Sequence, residues 1–136
     1  MKRIVFLFLA MFLLLTGCGT AETEKADTKT NTSANTYTQI SQDEAKEMMD
    51  TQEVIILDVR EQDEFDEGHI RGAVLLPVGS ITEETAAAVI PELDSVVLVY
   101  CRSGNRSKTA SEALVALGYT NIYEFGGIKT WAYEVE

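Results

Sequence analysis

The stretch Val96-Val97-Leu98-Val99-Tyr100-Cys101-Arg102-Ser103-Gly104-Asn105-Arg106-Ser107 constrains this chain more than any other. Its apolar run lacks polar alternation and is rich in valine, which suits a strand buried on both faces, as parallel strands are. Such a strand needs neighbours of the same kind and helices above and below. Cys101 falls at the carboxyl end, the edge where open α/β sheets bind ligands and where a following helix presents unpaired N–H groups. Ser103, Gly104 and Asn105 suit a tight loop whose amides converge on an anion.

A cysteine so placed is favoured as thiolate, because a helix N-terminus or cationic neighbours lower its pKa from about 8.5 to roughly 3.5–7.5. Arg102 and Arg106 supply cations on either side. A lone cysteine is more often a small core residue; the Arg, Gly and Arg that follow are what make Cys101 a nucleophile candidate, with Arg102, Ser103, Gly104, Asn105 and Arg106 as its substrate-binding loop.

The rest of the chain reads as alternating strands and helices. Tyr37 to Ile40 is a short strand. Ser41-Gln42-Asp43-Glu44 is a capping box opening a helix to Asp50, with Ala45, Met48 and Met49 on one face. Val54 to Leu57 is a second buried strand ending at Asp58-Val59-Arg60. Asp58 and Arg60 are supporting candidates: each can brace the cysteine loop, or cap and pair locally with Glu61 or Glu64, the latter being the reading for Arg60. Glu61 to Glu67 is an acidic helix with a solvated face, stopped by Gly68. Ala73 to Leu76 is a strand ended by Pro77, and a helix runs from Ser80 to about Ile90. After the central strand, a helix from Asn105 or Arg106 to Leu117 carries Ala110, Ala113, Leu114 and Leu117 as its apolar stripe, with Gly118 as its stop. Asn121 to Phe125 is the last strand, Gly126-Gly127 permits close backbone approach, and Ile128 to Tyr133 is a last helical turn or two anchored by Trp131. This alternation predicts an α/β fold with a parallel sheet of about five strands and helices on both faces. His69, the single histidine, reads as structural, since one His and one available Cys cannot build a zinc site. No metal or organic cofactor is expected.

The cysteine loop resembles the active-site loop of rhodanese-type sulfurtransferases. So do Leu57-Asp58-Val59-Arg60, Glu64-Phe65, Gly68-His69-Ile70 with Gly72-Ala73, Pro77, and Gly126-Gly127-Ile128 with Trp131, in that order and at similar spacing. The likeness runs from about Thr38 to the C-terminus and implies a rhodanese-like domain over 37–136. It implies sulfur transfer from thiosulfate or a similar anionic donor to cyanide or a thiol through a Cys101 persulfide. Cysteine phosphatases use a related loop but resemble one another in placing five residues between Cys and Arg. Here there are four, Arg102 to Asn105, a smaller ring that better matches a single sulfur. Arsenate reduction normally wants a second usable cysteine. A low-turnover sulfur-binding or sensing module is the remaining alternative.

Residues 1–17 read as an export signal, with Lys2 and Arg3 followed by an apolar run from Ile4 to Leu15, too short to span a bilayer of about 30 Å. Leu15-Thr16-Gly17-Cys18 resembles a bacterial lipoprotein processing site, which implies lipid (diacylglyceryl and palmitate) on Cys18 and a membrane anchor on the extracytoplasmic face; two acyl chains suffice for stable anchoring. Cys101 is then a free thiol without a disulfide partner. Residues 18–36 carry no aromatic or large aliphatic side chain and read as a disordered tether, with a reach of about 21–25 Å. Removing Lys2 and Arg3 takes the net charge from −11 to −13, which disfavours nucleic acid as a partner. A monomer is expected.

Overall fold

A computed structural model describes residues 36–136. The export signal, Cys18 and the tether up to residue 35 lie outside the described residues. Among the described residues no helix is long and apolar enough to cross a membrane.

The apolar runs become strands of one sheet, in chain order β1 (Thr38–Gln39), α1 (Gln42–Thr51), β2 (Ile55–Asp58), α2 (Gln62–Glu67), β3 (Val74–Leu75), α3 (Glu83–Val89), β4 (Val96–Cys101), α4 (Asn105–Ala116) and β5 (Asn121–Gly127). All strand pairs are parallel, in the spatial order β1-β5-β4-β2-β3. β4 is therefore central, and its residues from Val97 to Cys101 are buried. Alternate residues serve opposite faces. Val97, Val99 and Cys101 join Leu57, Ala86, Ile90, Ala110, Leu114 and Ile122 on the face covered by α3 and α4. Leu98 and Tyr100 join Ala45, Ile70 and Phe125 on the face covered by α1. Helices thus cover both faces, as expected.

Local signals set most of the boundaries. At α1 the Ser41 hydroxyl accepts from the Glu44 N–H at 3.1 Å, while the Glu44 carboxylate accepts from the Ser41 N–H at 2.7 Å, a reciprocal cap. Gly104, just before α4, has a φ of +102° that favours glycine and turns the chain into the helix. Its buried stripe is Ser107, Ala110, Ser111 and Leu114, shifted toward the loop from the predicted stripe, so two serines replace Ala113 and Leu117 as its most buried members.

Two boundaries differ from those expected. The third helix starts at Glu83 rather than Ser80, because Val78–Ser80 forms a 3-10 turn after Pro77, and Thr82 with Thr85 makes the capping box. The expected last helical turn is present as a single 3-10 turn, Ile128–Thr130, which stops short of Tyr133. Beyond it the chain extends to a bridge between Val135 and Ile70, which draws the terminal residues onto the 68–72 turn. Trp131 does pack as predicted, 5.5 Å from the Phe125 ring.

Asp58 and Arg60 form a buried network on the α1 face, opposite the Cys101 side chain. Asp58 lies beside Tyr100 in the β2–β4 register. Its carboxylate accepts from Arg60 Nη2 at 2.6 Å, from Arg60 Nε at 3.0 Å and from the Tyr100 hydroxyl at 2.6 Å. Arg60 also donates to the Gly68 carbonyl at 2.8 Å, and the Tyr100 oxygen accepts from the Ile70 N–H at 3.0 Å. Burial, with the Asp58 carboxylate beside it, pushes the Tyr100 hydroxyl up, so it remains a donor. The network ties β2, β4 and the 68–70 turn together without touching the cysteine loop. This corrects the loop-bracing reading of Asp58, and Arg60 pairs with Asp58 rather than with Glu61 or Glu64.

Asp58→Asn leaves a buried guanidinium, 5 % exposed, without its counter-charge and is expected to cost about 3–5 kcal/mol. Tyr100→Phe removes one buried hydroxyl and is expected to cost about 1–3 kcal/mol. Urea unfolding of both variants, with unchanged m, checks the order.

Candidate active site

β4 delivers Cys101 to the carboxyl edge of the sheet, and the chain turns at once into α4. The turn is held from below by β5. The pairing advances from Val99 opposite Glu124 to Cys101 opposite Gly127, so three β5 residues face two of β4, and the bulge cups the loop. A Cβ at Gly127 would run into the carbonyl group of Arg102, which makes glycine necessary there and bears out the predicted close approach. The Arg102 carbonyl accepts from the Lys129 N–H at 3.2 Å, and Gln42 Nε2 donates to the Gly127 carbonyl at 2.8 Å. Loop, bulge and the start of α1 are thus clamped together.

Inside this clamp the Gly104 N–H donates to Cys101 Sγ at 3.1 Å, and Ser107 Oγ lies 3.5 Å from the sulfur. Burial pushes the thiol up, but the hydroxyl and N–H of Ser107 and the N–H groups of Gly104 and Ser103 outweigh it, leaving Cys101 below an ordinary cysteine. The predicted direction holds, but its leading cause is hydrogen bonding rather than arginine charge. Cys101 is only 1 % exposed, so the sulfur lies on the floor of the loop. The rim of the loop is formed by Arg102, Ser103 and Asn105, all exposed.

Arg106 does not stand free. Its Nη1 and Nη2 donate to the two Glu64 carboxylate oxygens at 2.6 and 2.8 Å, a bidentate pair between α4 and α2. The acidic helix α2 therefore does not have a purely solvated face: Glu64 turns inward to the loop. The Arg106 hydrogen bonds hold its carboxyl at about 2. His69 stacks on Phe65, with ring centroids 3.7 Å apart, in keeping with a structural role. Among the described residues no cluster suited to a metal ion occurs.

Sequence reasoning missed two further residues. Ser107 contacts the sulfur directly, and the buried Glu124 accepts from the Ser107 hydroxyl at 2.6 Å. A signal existed for Glu124: it shares the strand face of Ile122, so a charged residue stands at an inward position.

A parallel α/β sheet whose central strand ends in a cysteine ringed by main-chain amides defines a thiol-centred anion-loop domain. The chain belongs to the Rhodanese family, with the Rhodanese-like domain matching residues 41–134. It is 36 % identical over 96 residues to "Thiosulfate sulfurtransferase GlpE" of Coxiella burnetii, covering 70 % of this chain and 87 % of that one. It is 37 % identical over 73 residues to "Thiosulfate sulfurtransferase PspE" of Escherichia coli, covering 54 % and 69 % of the two chains. Among solved structures, "rhodanese with anions from E. coli" superposes with a TM-score of 0.58 at 31 % identity, covering 62 % of this chain and 98 % of that one. Together these relatives support a sulfurtransferase.

The Glu64 carboxyl is depressed from 4.5 to about 2. A depressed acid stabilises the fold above its unfolded pKa, and that contribution disappears as pH falls through the folded value. Stability is therefore expected to drop between about pH 4.5 and 2, and Glu64→Gln to flatten that drop, measured by denaturant unfolding across the range.

Proposed function

We propose that Cys101 carries sulfane sulfur as a persulfide between an anionic donor and a thiophilic acceptor. The observation that carries this reading is the convergence of the Ser103, Gly104 and Ser107 amides on one sulfur, a seat that stabilises a small anion. The Cys101 thiolate attacks the outer sulfur of thiosulfate. A bond from Cys101 sulfur to that sulfur forms, the bond to the sulfonate sulfur breaks, and its electron pair leaves with sulfite. Cyanide or a thiolate then takes the outer sulfur and returns Cys101 as thiolate. The exposed Arg102 and the rim residues Ser103 and Asn105 receive the donor's oxygens. Arg106 holds the loop through Glu64 and adds positive charge beside the sulfur. Because Cys101 is 1 % exposed, the donor reaches it by displacing the rim. Asp58 and Arg60 support the strand end rather than the reaction.

The full chain treated with thiosulfate is expected to gain the mass of one sulfur atom at Cys101, to lose it on adding cyanide, and to gain none in Cys101→Ser. Hydrolysis of aryl phosphates without a sulfur adduct would point to the phosphatase chemistry instead. An adduct formed once and not discharged would mark a sulfur-binding module.

The N-terminal residues support a second element of the reading, a lipid anchor on Cys18 that holds the domain on the extracytoplasmic membrane face. Cys18→Ala is expected to abolish retention of the exported protein in the membrane fraction, followed by fractionation of expressing cells; retention equal to the wild type overturns the anchor.

A further inference from the structure

Glu124 is buried, 2 % exposed, and has no part in the transfer steps above. Its Oε1 accepts from the Ser107 hydroxyl at 2.6 Å and from the Gly126 N–H at 2.8 Å, and its Oε2 accepts from Gln39 Nε2 at 3.1 Å. All three donors are neutral. The surrounding cations are otherwise placed: Arg106 of α4 is paired with Glu64 of α2, and Arg102 of the loop, Lys108 of α4 and Lys129 beyond β5 are all exposed. From β1 and α1 the facing groups are the neutral amides of Gln39 and Gln42.

One hydroxyl joins this carboxylate to the reactive sulfur, and a hydroxyl has one proton. Ser107 Oγ is 2.6 Å from Glu124 Oε1 but 3.5 Å from Cys101 Sγ; its contact with the Gly126 carbonyl, at 3.4 Å, is also long. The short bond takes the proton. While the sulfur is protonated, Ser107 accepts its S–H; the hydroxyl donates to the thiolate, the interaction that lowers the thiol, once its own proton has left the line to the sulfur free by passing to Glu124. Two negative charges separated by one buried hydroxyl would repel strongly, since little water screens them.

We propose, building on the persulfide reading, that Glu124 is a positioning residue that shares one proton with Cys101 through Ser107. In one state the thiol donates to Ser107 and Ser107 to the carboxylate. In the other, the thiol proton has passed to Ser107 Oγ while the hydroxyl's own proton has passed to Glu124 Oε1. One S–H and one O–H bond break, two O–H bonds form, and no electrons are exchanged. The buried site keeps a single negative charge throughout. The thiolate needed for attack thus forms without adding charge to the interior.

Two groups coupled in this way titrate as a pair in two steps. The test is the rate at which neutral iodoacetamide alkylates Cys101 in the full chain as a function of pH, read at that site by peptide mass spectrometry so that Cys18 does not contribute. The wild type is expected to rise in two steps at least about one pH unit apart, with a plateau between. Glu124→Gln keeps an acceptor for Ser107 and Gly126, with the Gln39 amide turned over, but removes the shared proton. It is expected to show one step, with a midpoint below the upper step of the wild type. A single step in the wild type, which needs no variant to observe, overturns the proposal, as does a second step that survives Glu124→Gln. Alkylation requires no sulfur donor. A chain that shows the two steps but takes no sulfur from thiosulfate would refute the persulfide reading alone, and the converse result would refute only the shared proton.

Discussion

The structure depends on one close apposition: the main chain from Cys101 to Ser103 lies directly on the β5 bulge, with no room between them for a side chain at Gly127. Everything at the site follows from that contact. It brings the loop amides over the sulfur, puts Ser107 beside both Cys101 and Glu124, and lets Gln42 reach across from α1 to the bulge. A buried sulfur would ordinarily favour the neutral thiol; the donors held in place by the bulge reverse that preference. The chemistry therefore rests on backbone geometry more than on side-chain charge.

The two faces of the sheet divide the work. On the α1 face, Asp58, Arg60 and Tyr100 join three separate segments in a network closed to water. On the other face, the loop, α4 and β5 surround Cys101. The strand that carries Tyr100 into one network carries Cys101 into the other, so the first fixes the height of β4 from which the second is built. The Arg106–Glu64 pair adds a third tie, from α4 to α2.

Much of this was legible in the residues. Uninterrupted apolar runs marked the buried parallel strands, Ser41 and Glu44 marked the first helix, and Cys101 with its glycine-containing loop marked the site. What escaped was either a choice between equivalent local signals or a long-range contact. Ser80 and Thr82 both suit an N-cap, and only the 3-10 turn after Pro77 separates them. Glu64 in an acidic helix looks like any solvated carboxylate until its partner 42 positions away is known. Asp58 sits at the rim in sequence, but strand parity sends its side chain to the face opposite Cys101. The arginines were legible as residues and not as interactions, because sequence does not show that Arg106 is already paired.

The enclosure of Cys101, at 1 % exposure, also acts as a size filter. A compact reagent with a terminal sulfur can enter an opening made by small shifts of the rim, whereas a bulky disulfide or a second protein's thiol must dismantle the cradle to make contact. Discrimination against mixed-disulfide formation would then be steric in origin, set by the backbone that covers the sulfur rather than by its charge.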